Sequence, residues 1–179
     1  MTSPTDGTRR LVLLRHAKAE PGGRGSDARR ALALAGRRQC ARVGAALLGR
    51  GLVPDVVLCS SAVRTRQTWD LVRGGLGGVS PVVDVSDELY GAGLIEVLDK
   101  VREVDDGYRT VLVVGHEPMM SAVAATLAGD GSDAAAVEHA RGGISTASFC
   151  VLEVDGPWSG LARGTARLDA VVAPTDLVD

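Results

Sequence analysis

Aromatic side chains are scarce in this chain: two Trp, two Tyr and one Phe among 179 residues. Packing therefore falls to Ala, Val and Leu. Cysteine is also scarce, and Cys40, Cys59 and Cys150 are odd in number and far apart. They form no Cys-x-x-Cys pair and no Cys/His zinc spacing, which argues against a zinc site and a disulfide framework. Free thiols fit a reducing, cytoplasmic setting. The formal charge of −2 gives no global pull toward nucleic acid or an anionic membrane. No apolar run reaches the ~20 residues that a membrane span needs. Met1 to Thr8 is polar, without the basic-then-apolar order of a secretion signal.

What is present is a series of short apolar runs bounded by Gly, Pro and charge. Length and patterning predict one domain over residues 10–179, preceded by a disordered tail over 1–9. Strands are expected over 10–15, 55–59, 81–85 and 110–114, and two late ones over 147–154 and 166–172. Helices are expected over 28–49 with Asp27 as cap, from Ser60 or Ser61 to about Val72, over 94–104, from Pro118 to about Leu127, and over 133–140. Strands alternate with helices first and form a hairpin-like end last. That pattern predicts a three-layer α/β/α sandwich with a mostly parallel sheet and an antiparallel edge. The glycine-rich stretch 74–78 is not GxGxxG and no strand runs directly into it, so no cofactor is assigned to it.

Two of the three histidines sit just past buried-type strands. Leu11-Val12-Leu13-Leu14 runs into Arg15-His16, and Val111-Leu112-Val113-Val114 runs into Gly115-His116. Ligands of open α/β sheets bind at that carboxyl edge. Arg64, expected about one turn into the helix after the second strand, can point back toward the same edge; Arg66 and Arg73 are its rivals. Arginine suits phosphate because its planar fork matches the oxygens bidentately and never loses its charge. Neutral His16 is then a candidate nucleophile on phosphorus, and His116 a candidate stabiliser of the transferring oxygens. Such a set needs no metal, because phosphoryl transfer depends mainly on positioning and charge. For a general acid, Glu88 in the loop after the third strand is the first candidate, with Glu20 and Glu117 in reserve. His139 lies in a polar stretch and reads as surface.

Two competing chemistries fail on spacing. A cysteine phosphatase needs five residues between its Cys and Arg, whereas Arg64 and Arg66 leave four and six after Cys59. Ser60 and Ser61 lack the G-x-S-x-G elbow of a serine hydrolase.

At these residues the chain resembles the histidine phosphatase superfamily (phosphoglycerate mutase-like), most of all its short SixA-like branch of phosphohistidine phosphatases. Leu-Leu-Arg15-His16-Ala-Lys resembles the opening RHG/RHA motif, and Ser60-Ser61-Ala-Val-Arg64-Thr-Arg-Gln67-Thr68 the S-x-x-x-R-x-x-Q-T segment. Asp87-Glu88-Leu89-Tyr90 resembles the acidic loop, Val114-Gly115-His116-Glu117-Pro118 the second histidine motif, and Thr146-Ala147 the small-residue step before a late strand. The resemblance implies that His16 is the phosphorylated nucleophile, that Arg15, Arg64 and His116 complete the phosphate pocket, and that Glu88 falls where many relatives place a proton donor. Lys18 replaces the Glu or Gln of the mutase-like branch, which argues against a mutase. The expected protein is a metal-independent phosphohydrolase without a cofactor, and its expected substrate is phosphohistidine on a protein. A small phosphomonoester (a sugar or nucleotide phosphate) is the alternative substrate, and a non-catalytic phosphate-binding module is the reading of another class.

Overall fold

The computed structural model describes residues 8–177. Six strands form one sheet: β1 (Arg9–Arg15), β2 (Val56–Ser60), β3 (Val82–Ser86), β4 (Thr110–Gly115), β5 (Phe149–Val154) and β6 (Ala166–Val172), in the order β3-β2-β4-β1-β5-β6. The first four in chain order run parallel, and β5 and β6 pair antiparallel on the side of β1. The helices are α1 (Leu34–Gly49), α2 (Val63–Gly74), α3 (Leu94–Arg102), α4 (Met119–Leu127) and α5 (Ala134–Gly142).

The central strands read as continuous apolar runs because both faces of the sheet are covered. Side chains alternate across the pleat. Leu11 and Leu13 of β1 and Val111 and Val113 of β4 enter a core shared with α3, α4 and α5. Val12, Leu14, Leu112 and Val114 enter the opposite core, against Cys40, Val43 and Leu47 of α1 and Trp69 and Val72 of α2. This is the expected three-layer sandwich with a mostly parallel sheet and an antiparallel edge.

Three expectations need correction. The strand β1 takes in Arg9, which pairs with Val154, so Arg9 does not belong to the tail expected over 1–9; residues 1–7 lie outside the described residues. The helix expected over 28–49 starts only at Leu34. Residues 27–29 form a separate 3-10 turn, and the chain then crosses to α1 as Ala19 pairs with Leu32 and Ala33 N–H donates to the Lys18 carbonyl at 3.0 Å. Gly36 permits that closeness: a Cβ there would lie 2.1 Å from the Lys18 carbonyl oxygen. Ser60 and Ser61 do not cap α2, whose N-cap is Ala62 without a side-chain bond. Instead Thr65 Oγ1 donates to the Ser60 and Ala62 carbonyls, at 2.7 and 2.8 Å, and the Ser60 hydroxyl turns to the sheet edge. Among the described residues no helix is long and apolar enough to cross a membrane.

Candidate active site

The β1–β4 register decides where the histidines meet. Arg15 stands opposite Gly115, so His16 and His116 leave the sheet side by side, and His16 N–H donates to the Gly115 carbonyl at 3.0 Å. Their ring centroids are 5.3 Å apart with planes tilted by 59°. Arg64 is the second residue of α2 and is 5 % exposed. Its Nη2 lies 3.3 Å from His116 Nδ1. These residues, with Arg15, line a cleft of about 440 Å³ whose walls also include Lys18, Asp27, Arg30, Tyr90, Glu117 and Thr146.

Hydrogen bonds fix the proton on each ring. His16 Nδ1 lies 2.8 Å from the Ala17 carbonyl, which can only accept, so Nδ1 carries the proton and Nε2 keeps its lone pair. Arg64 Nη2 can only donate to His116 Nδ1, so the His116 proton sits on Nε2, which donates to Ser60 Oγ at 2.7 Å. The chain around His16 is braced from α2: Ala17 N–H donates to Thr68 Oγ1 at 3.0 Å, and Thr68 donates in turn to the Arg64 carbonyl at 2.7 Å. Gln67 Oε1 accepts from Leu32 N–H at 2.8 Å and holds the segment after the 3-10 turn. Ala147 N–H donates to the His16 carbonyl at 3.1 Å, and Ala147 takes a left-handed backbone, φ 60°. A non-glycine residue there is strained, which fits a position dictated by the site.

The cleft is cationic. Among the described residues Arg9, Arg15, Arg30 and Arg64 each hold a buried Nε–H without a protein partner, and the last three line the cleft. Unmade bonds to such donors are costly, and three guanidinium groups converging on one cleft suit a tetrahedral oxyanion. Arg15 is steadied by donating from Nη1 to the Ile144 carbonyl at 2.7 Å.

Burial and these charges act on both imidazoles. The pKa of His16 falls to about 4, through burial first and then the charges of Arg64, Arg15 and Arg30, against the opposing bond to the Ala17 carbonyl. That of His116 also falls to about 4, through burial first and then Arg64, His16 and Arg30, with Asp27 opposing. Both rings are neutral in the free protein at neutral pH. With His16 as nucleophile, neutral down to about pH 4, kcat/KM corrected for substrate ionisation would fall on the acid side only near pH 4; a fall centred on the ordinary histidine value near 6.5 would contradict that role. The unfolded chain binds these protons more readily, so the two histidines subtract stability as pH drops from 6.5 toward 4.

The model of the histidine phosphatase superfamily (branch 1) matches residues 11–90. An uncharacterized protein of Mycobacterium tuberculosis is 38 % identical over 157 residues, covering 87 % of this chain and 96 % of that protein. A solved structure of a candidate phosphohistidine phosphatase SixA from Nakamurella multipartitia is 39 % identical, with a TM-score of 0.80 over 94 % of this chain and 97 % of its own. The chain belongs to the histidine phosphatase superfamily. A second candidate SixA structure, from Agrobacterium tumefaciens, is 28 % identical with a TM-score of 0.77, covering 93 % of this chain and 98 % of its own. The protein is a hydrolase of this family.

Not every candidate reaches the family's cleft. His16, Arg15, Arg64 and His116 are brought together. Glu88 is not: it lies on the 3-10 turn Asp87–Leu89, with its side chain 73 % exposed and its carboxylate 2.8 Å from Lys100 Nζ on α3. Tyr90 from the same loop lines the cleft instead, its ring 5.7 Å from that of His116 and nearly perpendicular to it. Glu20 lies in the exposed loop before the 3-10 turn and is not among the residues lining the cleft. Glu117 lines it, but its two oxygens accept backbone N–H bonds from Ile144 at 2.9 Å and Ser121 at 3.3 Å. Cys59 is fully buried in β2, and burial pushes its thiol up to about 12, out of reach of nucleophilic use.

Sequence reasoning missed Asp27, Arg30, Tyr90 and Ser60. Asp27 was assigned as a helix cap; it is bonded to Arg64 and Tyr90. An acidic and a basic residue three apart in a glycine-rich loop carry no periodic signal. Ser60 donates no cap to α2, and that freedom is visible only once His116 is placed beside it.

Proposed function

We propose that the protein is a phosphohydrolase that works through a phosphohistidine intermediate on His16, and that protein-bound phosphohistidine is its substrate. The observation that carries the first part is the Nδ1–H bond to the Ala17 carbonyl, which leaves the Nε2 lone pair in the cleft. Arg15 and Arg64 would hold the phosphoryl oxygens; for His116 to donate to them as well, Nδ1 takes up a proton from solvent and Arg64 Nη2 turns from that atom to the phosphoryl group. Charge stabilisation of this kind dominates phosphoryl transfer. In the second step water attacks phosphorus and frees His16.

The carboxylates support this substrate class. Glu88 is paired with Lys100, both oxygens of Glu117 are used, and the Asp27 carboxyl is held below its ordinary value, chiefly by Tyr90 and then by Arg64 and Arg30. An alkyl phosphoester needs a proton donor for its leaving oxygen. A phosphoramidate P–N bond breaks without a strong external acid, and so suits this cleft better. The three cysteines, free and buried, fit action in a reducing cytoplasm, in a chain of one domain.

A panel of phosphohistidine peptide, phosphoimidazole, aryl phosphate and sugar phosphates tests the substrate. Phosphoramidates are expected to give kcat/KM at least about a hundredfold above alkyl phosphates, the usual scale of a missing general acid. Turnover of sugar or nucleotide phosphates alone would replace this reading with the small-molecule one. Vanadate binding with no turnover of any substrate would leave a phosphate-binding module.

A further inference from the structure

Two carboxylates line this cationic cleft: both oxygens of Glu117 accept backbone N–H bonds, whereas Asp27 keeps an acceptor direction free. Asp27 Oδ2 accepts from Arg64 Nη2 at 3.0 Å and from the Tyr90 hydroxyl at 2.8 Å, and Oδ1 lies 3.2 Å from Arg30 Nη2. A carboxylate offers about four acceptor directions. Three are taken, and the fourth is on Oδ1. The side chain is 54 % exposed, at the cleft wall. Arg64 Nη2, which Asp27 touches, is itself 3.3 Å from His116 Nδ1. The carboxylate thus sits one guanidinium away from the catalytic imidazole pair. Beside a phosphoryl dianion its negative charge is repulsive. That cost is offset if the substrate carries a positive charge next to its phosphoryl group.

Resting on the phosphohistidine reading above, we propose that Asp27 recognises the leaving group: Oδ1 accepts a hydrogen bond from the distal ring N–H of a protonated phosphoimidazole. The transfer then balances without any proton from the protein. The His16 Nε2 lone pair forms the new N–P bond. The substrate's N–P bond breaks and its electron pair returns to the leaving ring nitrogen. The substrate ring enters as a cation and departs as neutral imidazole, keeping its distal proton; His16 becomes the phosphorylated cation, its Nδ1–H on the Ala17 carbonyl. Water then supplies the oxygen that displaces His16, and the released phosphate carries both water protons until one dissociates. Asp27 stays ionised throughout. It acts by raising the share of bound substrate whose ring is protonated, so it sets both substrate preference and the alkaline limb of the pH profile.

The test compares wild type with Asp27→Asn and Asp27→Glu on phosphoimidazole and on an aryl phosphate. Asparagine keeps an acceptor for Tyr90 but not the charge. The ratio of kcat/KM, phosphoimidazole over aryl phosphate, is expected to fall at least about tenfold in Asp27→Asn, the scale of one hydrogen bond to a charged group. The alkaline limb of kcat for phosphoimidazole moves to lower pH while that for the aryl phosphate stays, and Asp27→Glu restores part of both. An unchanged ratio with an unmoved limb, whether activity falls or not, would overturn the proposal, since bracing of Arg64 affects both substrates alike. Wild type that hydrolyses the aryl phosphate but not phosphoimidazole would remove the substrate reading, and this inference with it; that result appears before any substitution is made.

Discussion

His16→Ala is expected to lower kcat by at least about four orders of magnitude, the scale seen when a covalent nucleophile is removed. The structure explains why the loss is chemical and not a collapse of the fold. The backbone bonds of His16, to the Gly115 carbonyl and from Ala147 N–H, do not involve its ring. Beyond its tilted contact with His116, the ring's hydrogen bond among the described residues is to the adjacent Ala17 carbonyl. Truncation therefore removes the Nε2 lone pair while the β1–β4 pairing persists. Circular dichroism and the unfolding midpoint should stay close to wild type, and vanadate binding should weaken less than turnover. Activity within tenfold of wild type would remove His16 from the role of nucleophile.

Arg64→Ala carries the second large effect, a loss of about a thousandfold in kcat/KM. Removing one preorganised charge donor typically costs ~10²–10³. Arg64 sits at the high end of that range because it does three things at once. It holds a buried Nε–H without a protein partner at the cleft, lies beside His116 Nδ1, and pairs with Asp27 through Nη2. Without it the Asp27 carboxylate faces the phosphoryl group with only Arg30 to offset it. Its Nη1 also donates to the Asp27 carbonyl at 2.9 Å, so the 3-10 turn loses an anchor. Arg64→Lys should recover little, because an ammonium cannot serve all these directions. A loss below tenfold in Arg64→Ala would mean that Arg15 and Arg30 suffice to hold the phosphate.

The sheet and the two histidines were legible because strand ends are written in the sequence. Short apolar runs that stop at Arg15-His16 and Gly115-His116 locate the carboxyl edge without any long-range information. The contacts that finish the site were not legible, because each depends on where a separate segment crosses the edge. Asp27 looked like a cap since Ala28 to Leu34 contains no breaker, yet the chain leaves the 3-10 turn in an extended path set by Gln67 and Lys18. Glu88 looked like an acid because it follows β3 by two residues, but the 3-10 turn aims it at Lys100 and leaves Tyr90 to line the cleft. The Gln67-Thr68 pair illustrates the reverse: its residues sit in a recognisable motif, and their work is to hold Leu32 and Ala17 in place.

The central claim is that the phosphoryl group passes through Nε2 of His16. Rapid quench with ³²P-labelled phosphoimidazole, followed by mapping of the acid-labile phosphopeptide, tests it directly. Transient label, stable to base and lost in acid, is expected on the peptide that contains Arg15-His16. Label on any other residue, or complete turnover with no phosphoenzyme formed, would contradict it.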